Sequence, residues 1–239
     1  MASPQKNRGF VQGLYAQSST AKEVVGTLRE TQDGRKFRYS KAGGALAAGK
    51  LNIAEALDAT WVTETRGTAS VGDKSLTLTI TAAGAAIAEN QFAGGVMTIM
   101  DGTAEGPQYL IASNSAVAQS GTSITVTLAE ALREALTSGS EFTLCSHPGW
   151  EVTQSATLGA PAGVAPIDVT TQYFFWNQTG GLATVLMHGT PGIGYKVDQS
   201  KEIAGAVKLY ATLTLVDVGY VVGSAGVDGE YCNVMLTLD

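Results

Sequence analysis

The chain has 239 residues, of which 44% are hydrophobic, 15% are charged and 7% are aromatic, and its net charge is −6. The hydrophobic share argues against disorder. The chain has only two histidines and few charged residues, so few side chains are suited to acid–base catalysis. Cys145 and Cys232 have no metal-binding pattern near them, so neither a disulfide scaffold nor a zinc site is expected. No cofactor and no metal are predicted.

The first residues lack the apolar core of a signal peptide, so we expect synthesis in the cytoplasm. The longest uncharged run, 169–195, is interrupted by glycines, amides and a proline, which argues against a membrane span.

Charge is distributed unevenly along the chain. Residues 1–50 contain nine Lys or Arg and three acids, a net charge of +6, and the remaining 189 residues carry −12. Residues 1–24 are too polar to form a core but include scattered apolar side chains, so we expect an extended arm that orders on an acidic partner. A frayed terminus is the alternative. Direct nucleic-acid binding is not expected, because aromatic residues do not alternate with the basic ones.

Strand patterns dominate the rest of the chain. Residues 28–39 surround Asp33-Gly34 and predict a hairpin. Segments 76–80, 124–128 and 213–215 alternate apolar residues with Thr, which is typical of half-buried strands. Residues 96–111 predict a second hairpin with a longer tip. Helical spacing is found only in the short windows 47–57 and 128–136. The fold class predicted is therefore mainly β, with small barrel or sandwich lobes, an N-terminal arm and few short helices.

The expected organisation has five segments: an arm (1–24), a first β segment (25–60), a central β lobe (61–148), a connector (149–170) and a C-terminal β lobe (171–239). The connector is predicted from its low charge and its two prolines. An aromatic run followed by paired glycines occurs at both 37–44 and 174–181. This repetition permits residues 25–60 to join the C-terminal lobe, with 61–148 inserted.

Catalytic motifs are not found. The loop 189–196 resembles a phosphate loop, but Tyr195 stands where Lys is required. No serine elbow accompanies His147 or His188, and Asp101 and Glu105 lack the further ligands of a calcium loop. No catalytic residue is predicted, and the chain is not expected to be an enzyme.

The densest aromatic cluster is Phe174-Phe175-Trp176. Alternation along a strand places Phe175 on one face and its two neighbours on the other. One face is expected in the core. We predict that Phe175 and Trp176 provide a contact between subunits.

Three segments carry a resemblance to a known family: 37–51 (FRYSKAGGALAAGKL), 101–109 (DGTAEGPQY) and 169–181 (VTTQYFFWNQTGG). They are similar to capsid decoration proteins of tailed bacteriophages, also called cement proteins. The resemblance implies a β-rich virion protein that binds the outer capsid surface, bridges neighbouring major capsid subunits and has no active site.

From this resemblance and the basic arm we predict capsid contacts at Arg8, Phe10, Leu14, Tyr15 and Lys22. We also expect a homo-oligomer, either a trimer or a dimer, whose repeated weak contacts add up. One alternative is a structural or receptor-binding component of the phage tail or baseplate. A third hypothesis is a carbohydrate-binding module or hydrolase that uses the aromatic cluster with acids such as Asp168 or Asp198.

Overall fold

The computed structural model describes residues 9–56, 65–81, 84–210 and 216–239. This part of the chain contains fifteen β-strands and no helix, which confirms the predicted mainly β fold. The strands of the first half are β1 (Leu28–Glu30), β2 (Lys36–Lys41), β3 (Leu51–Ile53), β4 (Thr65–Arg66), β5 (Ser75–Thr79), β6 (Val96–Asp101), β7 (Gln108–Asn114) and β8 (Ser123–Leu128). Those of the second half are β9 (Glu141–Cys145), β10 (Pro161–Val164), β11 (Phe174–His188), β12 (Lys196–Gln199), β13 (Val207–Leu209), β14 (Gly219–Val221) and β15 (Tyr231–Thr237).

The chain forms two compact units. Unit 1 contains residues 1–53 and 151–239, and unit 2 contains residues 54–150. Ile53 and Thr153 exchange two backbone hydrogen bonds of 2.9 and 3.0 Å. The chain therefore leaves unit 1 and returns to it at neighbouring points.

Unit 2 is a closed β-barrel with the strand order β4-β5-β8-β7-β6-β9. In β5 and β8 the apolar residues Leu76, Leu78, Ile124 and Val126 are buried, while the alternating Ser and Thr side chains lie mostly outside. Both segments are thus the half-buried strands that the sequence predicts. The hairpin predicted for 96–111 is confirmed by the antiparallel pairing of β6 and β7.

Unit 1 is built on a nine-stranded sheet in which β11 is central. The path of neighbouring strands is β1-β2-β11-β13-β12-β14-β15, and β10 joins β3 to β11. The first half of β11 pairs with β2 and the second half pairs with β15. The hairpin predicted around Asp33-Gly34 is confirmed by the pairing of β1 with β2. The sequence segment 213–215 lies outside the described residues.

β11 continues through Gly180-Gly181, where the sequence pattern predicts a turn between two strands. Gly181 has φ +79°, and a Cβ at this position would lie 2.9 Å from the Cα of Arg35. The glycine thus permits the β1–β2 hairpin to approach β11 closely, and β11 remains one strand.

The helices predicted within 47–57 and 128–136 are wrong for the residues that the structure describes. Leu51–Ile53 is strand β3, and the amide of Leu132 donates to Asp73 while that of Leu136 donates to Ala69. In both windows, backbone pairing with distant segments replaces the local hydrogen bonds of a helix. Leu132 and Leu136 are nevertheless buried in the barrel core.

The predicted connector 149–170 is wrong as well. From residue 151 onward this segment belongs to unit 1, and its strand β10 pairs with both β3 and β11. Pro161 is the first residue of β10, a position that proline accepts in a sheet. The two prolines therefore mark strand and turn positions within the unit.

Candidate functional site

The most distinctive exposed surface of unit 1 is a row of three large side chains across β11, β15 and β14. Leu182 pairs with Met235, and Met235 pairs with Tyr220. Directly paired residues place their side chains on the same face of a sheet. Leu182 is 47% exposed, Tyr220 is 39% exposed and Met235 between them is half-buried, and we call Leu182, Met235 and Tyr220 the outer row.

The opposite face of the same strands fixes the position of the outer row. Ala183, Val221 and Val234 are buried in one core cluster, and their backbones pair across β11, β15 and β14. A slip of one residue in register would expose this apolar set and bury the outer row. The exposure of the row is therefore set by the core behind it.

An ion pair ends the outer row. Lys196 on β12 pairs with Tyr220 in the sheet, and its Nζ lies 2.6 Å from Oδ2 of Asp217. The hydrogen bond to Asp217 raises the pKa of the exposed Lys196. The apolar surface thus has a charged margin on this side.

At its other end, the outer row meets a groove of about 540 Å³. The groove is lined by Leu182 and Thr184 of β11, by Tyr15 and Arg35, by the segments 47–49 and 164–166, and by Asp168 and Tyr231. Tyr15 is 58% exposed and Tyr231 is 50% exposed. Two tyrosine rings, one arginine and one carboxylate therefore line an open cleft.

Local backbone contacts hold the 47–49 segment in place. Asp168 accepts a hydrogen bond of 2.8 Å from the amide of Ala48 through Oδ1, and the amide of Gly49 donates to Ala165 at 2.8 Å. Gly49 has φ +70°, and a Cβ there would lie 2.6 Å from Cε1 of Tyr231. Glycine is thus required both for the turn and for the position of the tyrosine ring.

One edge of β11 opens onto this groove. The amide of Met187 donates to Glu230, next to β15, whereas that of Leu186 donates to Gly49 on the other edge. Backbone groups alternate between the two edges of a strand, so Leu182 and Thr184 direct their N–H and C=O groups toward the edge of Gly49. In the described part of the chain, only β15 pairs with residues 182–185.

Gln178 covers part of that edge. Its Nε2 donates to the carbonyl oxygens of Gly180 at 3.2 Å and of Leu182 at 2.9 Å. The backbone groups that remain for a further strand are the amides of Leu182 and Thr184 and the carbonyl of Thr184.

The N-terminal residues predicted as capsid contacts differ in their environment. Arg8 lies outside the described residues. Phe10 and Leu14 pack against the buried cluster Phe37, Tyr39 and Trp176, and the ring centroids of Phe10 and Trp176 are 4.9 Å apart. Both side chains are partly buried because they cover aromatic surface of their own unit, and their contact with a capsid stays a prediction.

Gln12 fixes this N-terminal segment to the sheet. The hydroxyl of Tyr39 donates to Oε1 of Gln12 at 2.6 Å, and Nε1 of Trp176 donates to the Gln12 carbonyl at 3.2 Å. Nε2 of Gln12 donates to the carbonyls of Ala16 and Phe174. From Phe10 to Ser18, the predicted extended arm is therefore a folded part of unit 1.

Tyr15 and Lys22 are the two predicted contact residues that remain exposed. The hydroxyl of Tyr15 accepts a hydrogen bond of 3.0 Å from Nη1 of Arg35, and Nζ of Lys22 donates to Oγ1 of Thr20 at 2.9 Å. Both side chains are accessible to a partner.

Phe175 and Trp176 are fully buried, so their prediction as subunit contacts is wrong. The reason is that both faces of β11 are covered here, with the N-terminal segment packing on the face of Trp176. Burial also removes Trp176 as an exposed platform for a sugar. Asp198, one of the acids considered for that hypothesis, is buried too.

A serine and a histidine meet near a second, smaller cavity. Nδ1 of His188 lies 2.9 Å from Oγ of Ser200 and 3.4 Å from Oε2 of Glu202. Ser200 is fully buried, and its Oγ accepts hydrogen bonds from the amides of Glu202 and Ile203. This hydroxyl stabilises a turn and is not accessible to a substrate.

The remaining candidates form turns. Oδ1 of Asp101 accepts a hydrogen bond from the amide of Gly102 at 2.8 Å, and Nδ1 of His147 accepts one from Gly149 at 3.0 Å. Within the described ranges, no group of three His, Cys, Asp or Glu side chains is arranged to hold a metal. In that same part of the chain, no helix is long and apolar enough to cross a membrane.

The sequence reasoning missed the outer row, although it predicted a C-terminal β lobe at 171–239. One signal was present. The exposed positions of the unit 2 strands β5 and β8 are Ser or Thr, whereas those of β11, β14 and β15 include Leu182, Tyr220 and Tyr231.

Searches of known protein families, of curated proteins and of solved structures find no match to this chain. Its function is therefore argued from the surface of unit 1 and from the sequence resemblance.

Proposed function

We propose that this protein is a decoration protein of a tailed-phage capsid, which binds the outer shell surface and bridges neighbouring major capsid subunits. The observation that carries the proposal is the outer row. An exposed apolar strip that lies flat on a sheet and ends in charged residues is typical of a surface for a protein partner. The three segments that resemble decoration proteins indicate the class of that partner.

Residue types support the same conclusion. Tyr and Met are enriched at the centres of protein interfaces, and both occur in the outer row. Because the register of three strands holds these side chains in place, few degrees of freedom are lost when the surface is covered.

Several copies on one shell would act together. A modest contact in each copy becomes strong when copies are linked, with overall gains of about 10²–10⁴ in affinity. In this proposal the protein is made in the host cytoplasm, assembles as a trimer or dimer and resides on the capsid surface of the virion.

The proposal is tested by mixing the purified protein with undecorated capsids of its own phage. Bound protein is measured by co-sedimentation, together with the temperature at which the shells disrupt. We expect saturable binding and a higher disruption temperature. Tyr220→Glu should weaken binding by about tenfold or more, since it places a charge within the apolar row.

Leu110→Glu is the matched control, because Leu110 is equally an exposed apolar strand residue, 47% exposed, but belongs to unit 2. It should bind as the unmodified protein does. Absence of binding to both immature and expanded shells contradicts the proposal. If electron micrographs show the labelled protein bound to phage tails and not to heads, the alternative of a tail component is established.

A further inference from the structure

We propose that the groove of unit 1 binds residues 1–8 of a second copy of this chain, as an added strand along the open edge of β11 at Leu182–Thr184. This inference does not rest on the capsid function. In this proposal, the N-terminal segment of one copy binds the groove of another copy in solution.

The hydrogen-bonding groups of β11 support an added strand. The amides of Leu182 and Thr184 and the carbonyl of Thr184 face the groove, while β15 occupies the opposite edge. An open strand edge is a template for a segment of another chain, which gains main-chain hydrogen bonds there. The groove of about 540 Å³ beside this edge provides space for such a segment.

The chain geometry favours a second copy over the same copy. Phe10 is fixed over Trp176, whereas the open edge begins six residues further along β11, about 20 Å away at ~3.3 Å per residue. Residues 1–8 span at most about 28 Å when fully extended. In its own copy the segment would therefore use most of its length to reach the edge, but a neighbour's segment has no such restriction.

The start of the described chain is accessible to a neighbour. Gly9 is exposed, and nothing lies within 4 Å of the position of a Cβ there. The eight residues that precede it are thus attached at an open surface.

Charge also favours this occupant. Residues 1–8 include Lys6 and Arg8 and contain no acid. The groove offers the carboxylate of Asp168 and the rings of Tyr15 and Tyr231, which attract cationic side chains. Arg35 is neutralised by Asp33, whose Oδ2 lies 2.7 Å from its Nε.

The first experiment compares the full chain with a variant lacking residues 1–8. Sedimentation velocity over a range of concentrations should show oligomers of the full chain and monomers of the truncated one. A fluorescent peptide with the sequence MASPQKNR should bind the truncated chain, measured by anisotropy, and the full chain more weakly, because its groove is already occupied.

The second experiment places opposite charges at one exposed position. Leu182→Glu should strengthen peptide binding and Leu182→Lys should weaken it, each by about three- to tenfold at low salt. The difference should shrink at 0.5 M salt. Because both variants lose the same leucine, the comparison separates the charge of the groove from its apolar surface.

The third experiment tests the backbone contact. Thr184→Pro removes the amide N–H that faces the groove. The hydrogen bonds to β15 are made by the neighbouring residues and should be kept. Thr184→Val retains the amide N–H and is the control. The proline variant should lose peptide binding and the valine variant should keep it. Circular dichroism checks folding, and the pair of Leu182 variants still decides the question if the proline variant does not fold.

Two results would overturn the proposal. The first is that the peptide does not bind the truncated chain, or binds it with an affinity that does not depend on the charge at residue 182. The other is a full chain that stays monomeric at every concentration while the peptide still binds the truncated chain, since that result places the segment in its own groove.

Discussion

Tyr39 shows how a single hydroxyl connects distant parts of unit 1. Its ring is buried against Trp176, and its OH donates to Gln12 while accepting a hydrogen bond from the amide of Lys22 at 3.0 Å. Burial raises the pKa of this tyrosine. The hydroxyl therefore remains protonated and satisfies two groups of the N-terminal segment.

Replacing Tyr39 by Phe should lower the free energy of unfolding of unit 1 by about 1–2 kcal/mol, because the buried amide of Gln12 loses a partner. Denaturant unfolding followed by tryptophan fluorescence measures the change. Tyr220→Phe, at an exposed position, should have almost no effect. Equal effects of the two variants would contradict this account of Tyr39.

A carboxylate near the other end of the chain has a pH-dependent role. Asp239 accepts hydrogen bonds from Nε and Nη2 of Arg38, at 2.8 and 2.9 Å, and from Oγ1 of Thr179 at 2.7 Å. Burial raises the pKa of Asp239, but these hydrogen bonds and the charge of Arg38 outweigh it, so the pKa lies below its ordinary value. Its stabilisation is complete above the unfolded pKa and is lost as pH falls through the folded one.

We therefore expect Asp239→Asn to lower the free energy of unfolding by up to about 1 kcal/mol at pH 7, a value limited by partial solvent exposure. The difference from the unmodified protein should shrink as pH falls and disappear once the carboxylate is protonated in the folded protein as well. Urea unfolding at several pH values measures both quantities. A difference that stays constant with pH would show that charge is not the cause.

At the scale of elements, the N-terminal segment is a structural part of the sheet. Phe10 and Leu14 cover the cluster around Trp176, and Ser18 forms a bridge with Phe174 through backbone bonds of 3.0 and 2.8 Å. A segment that appears too polar for a core thus completes one.

Deleting residues 1–18 should destabilise unit 1 by about 3 kcal/mol or more, because two large apolar side chains lose their burial and the hydrogen bonds of Gln12 are lost. Deleting residues 1–8 should leave its stability unchanged within about 0.5 kcal/mol at concentrations where the chain is monomeric. Thermal and denaturant unfolding of both variants test this contrast. Unchanged stability after the longer deletion would restore the interpretation of a detached arm.

The strands of unit 2 were the most predictable elements, because Thr and apolar residues alternate cleanly and only one face is buried. The helical spacing of leucines at residues 128–136 led to a wrong prediction, because backbone hydrogen bonds to Ala69 and Asp73 determine the conformation there. The burial of Trp176 could not be read from the sequence, since its cover comes from residues more than 160 positions earlier. The groove was missed for the same reason, as its lining combines segments from both ends of the chain.

At the scale of the whole molecule, the chain consists of two units with separate cores. In the described part of unit 2, the buried residues of the barrel core run from Leu76 to Leu144, and Ala69 packs against them. The chain crosses between the units only near residues 53 and 151, and the bridge between Ile53 and Thr153 closes unit 1 at that point.

Replacing residues 54–150 by a Gly-Ser linker of about six residues should leave unit 1 folded, because loops of this length connect neighbouring strands routinely. The amide signals of β11 and β15 in NMR spectra should keep their dispersion. As a control, the same linker combined with Trp176→Ala should unfold, since that substitution costs about 3–5 kcal/mol. Loss of dispersion with the linker alone would show that unit 1 depends on unit 2.

The bond between Arg38 and Asp239 joins residues 201 positions apart, and it has a consequence for synthesis on the ribosome. Unit 2 is complete once residue 150 has emerged, and it can fold while the rest of the chain is still being made. The first strands of unit 1 must wait for β11 and β15, which at about 5–20 residues per second takes roughly 10–40 seconds. Until β11 has emerged, Phe37 and Tyr39 lack their partner Trp176, so the nascent chain exposes an apolar surface that is prone to aggregation while unit 2 and β11 are being made.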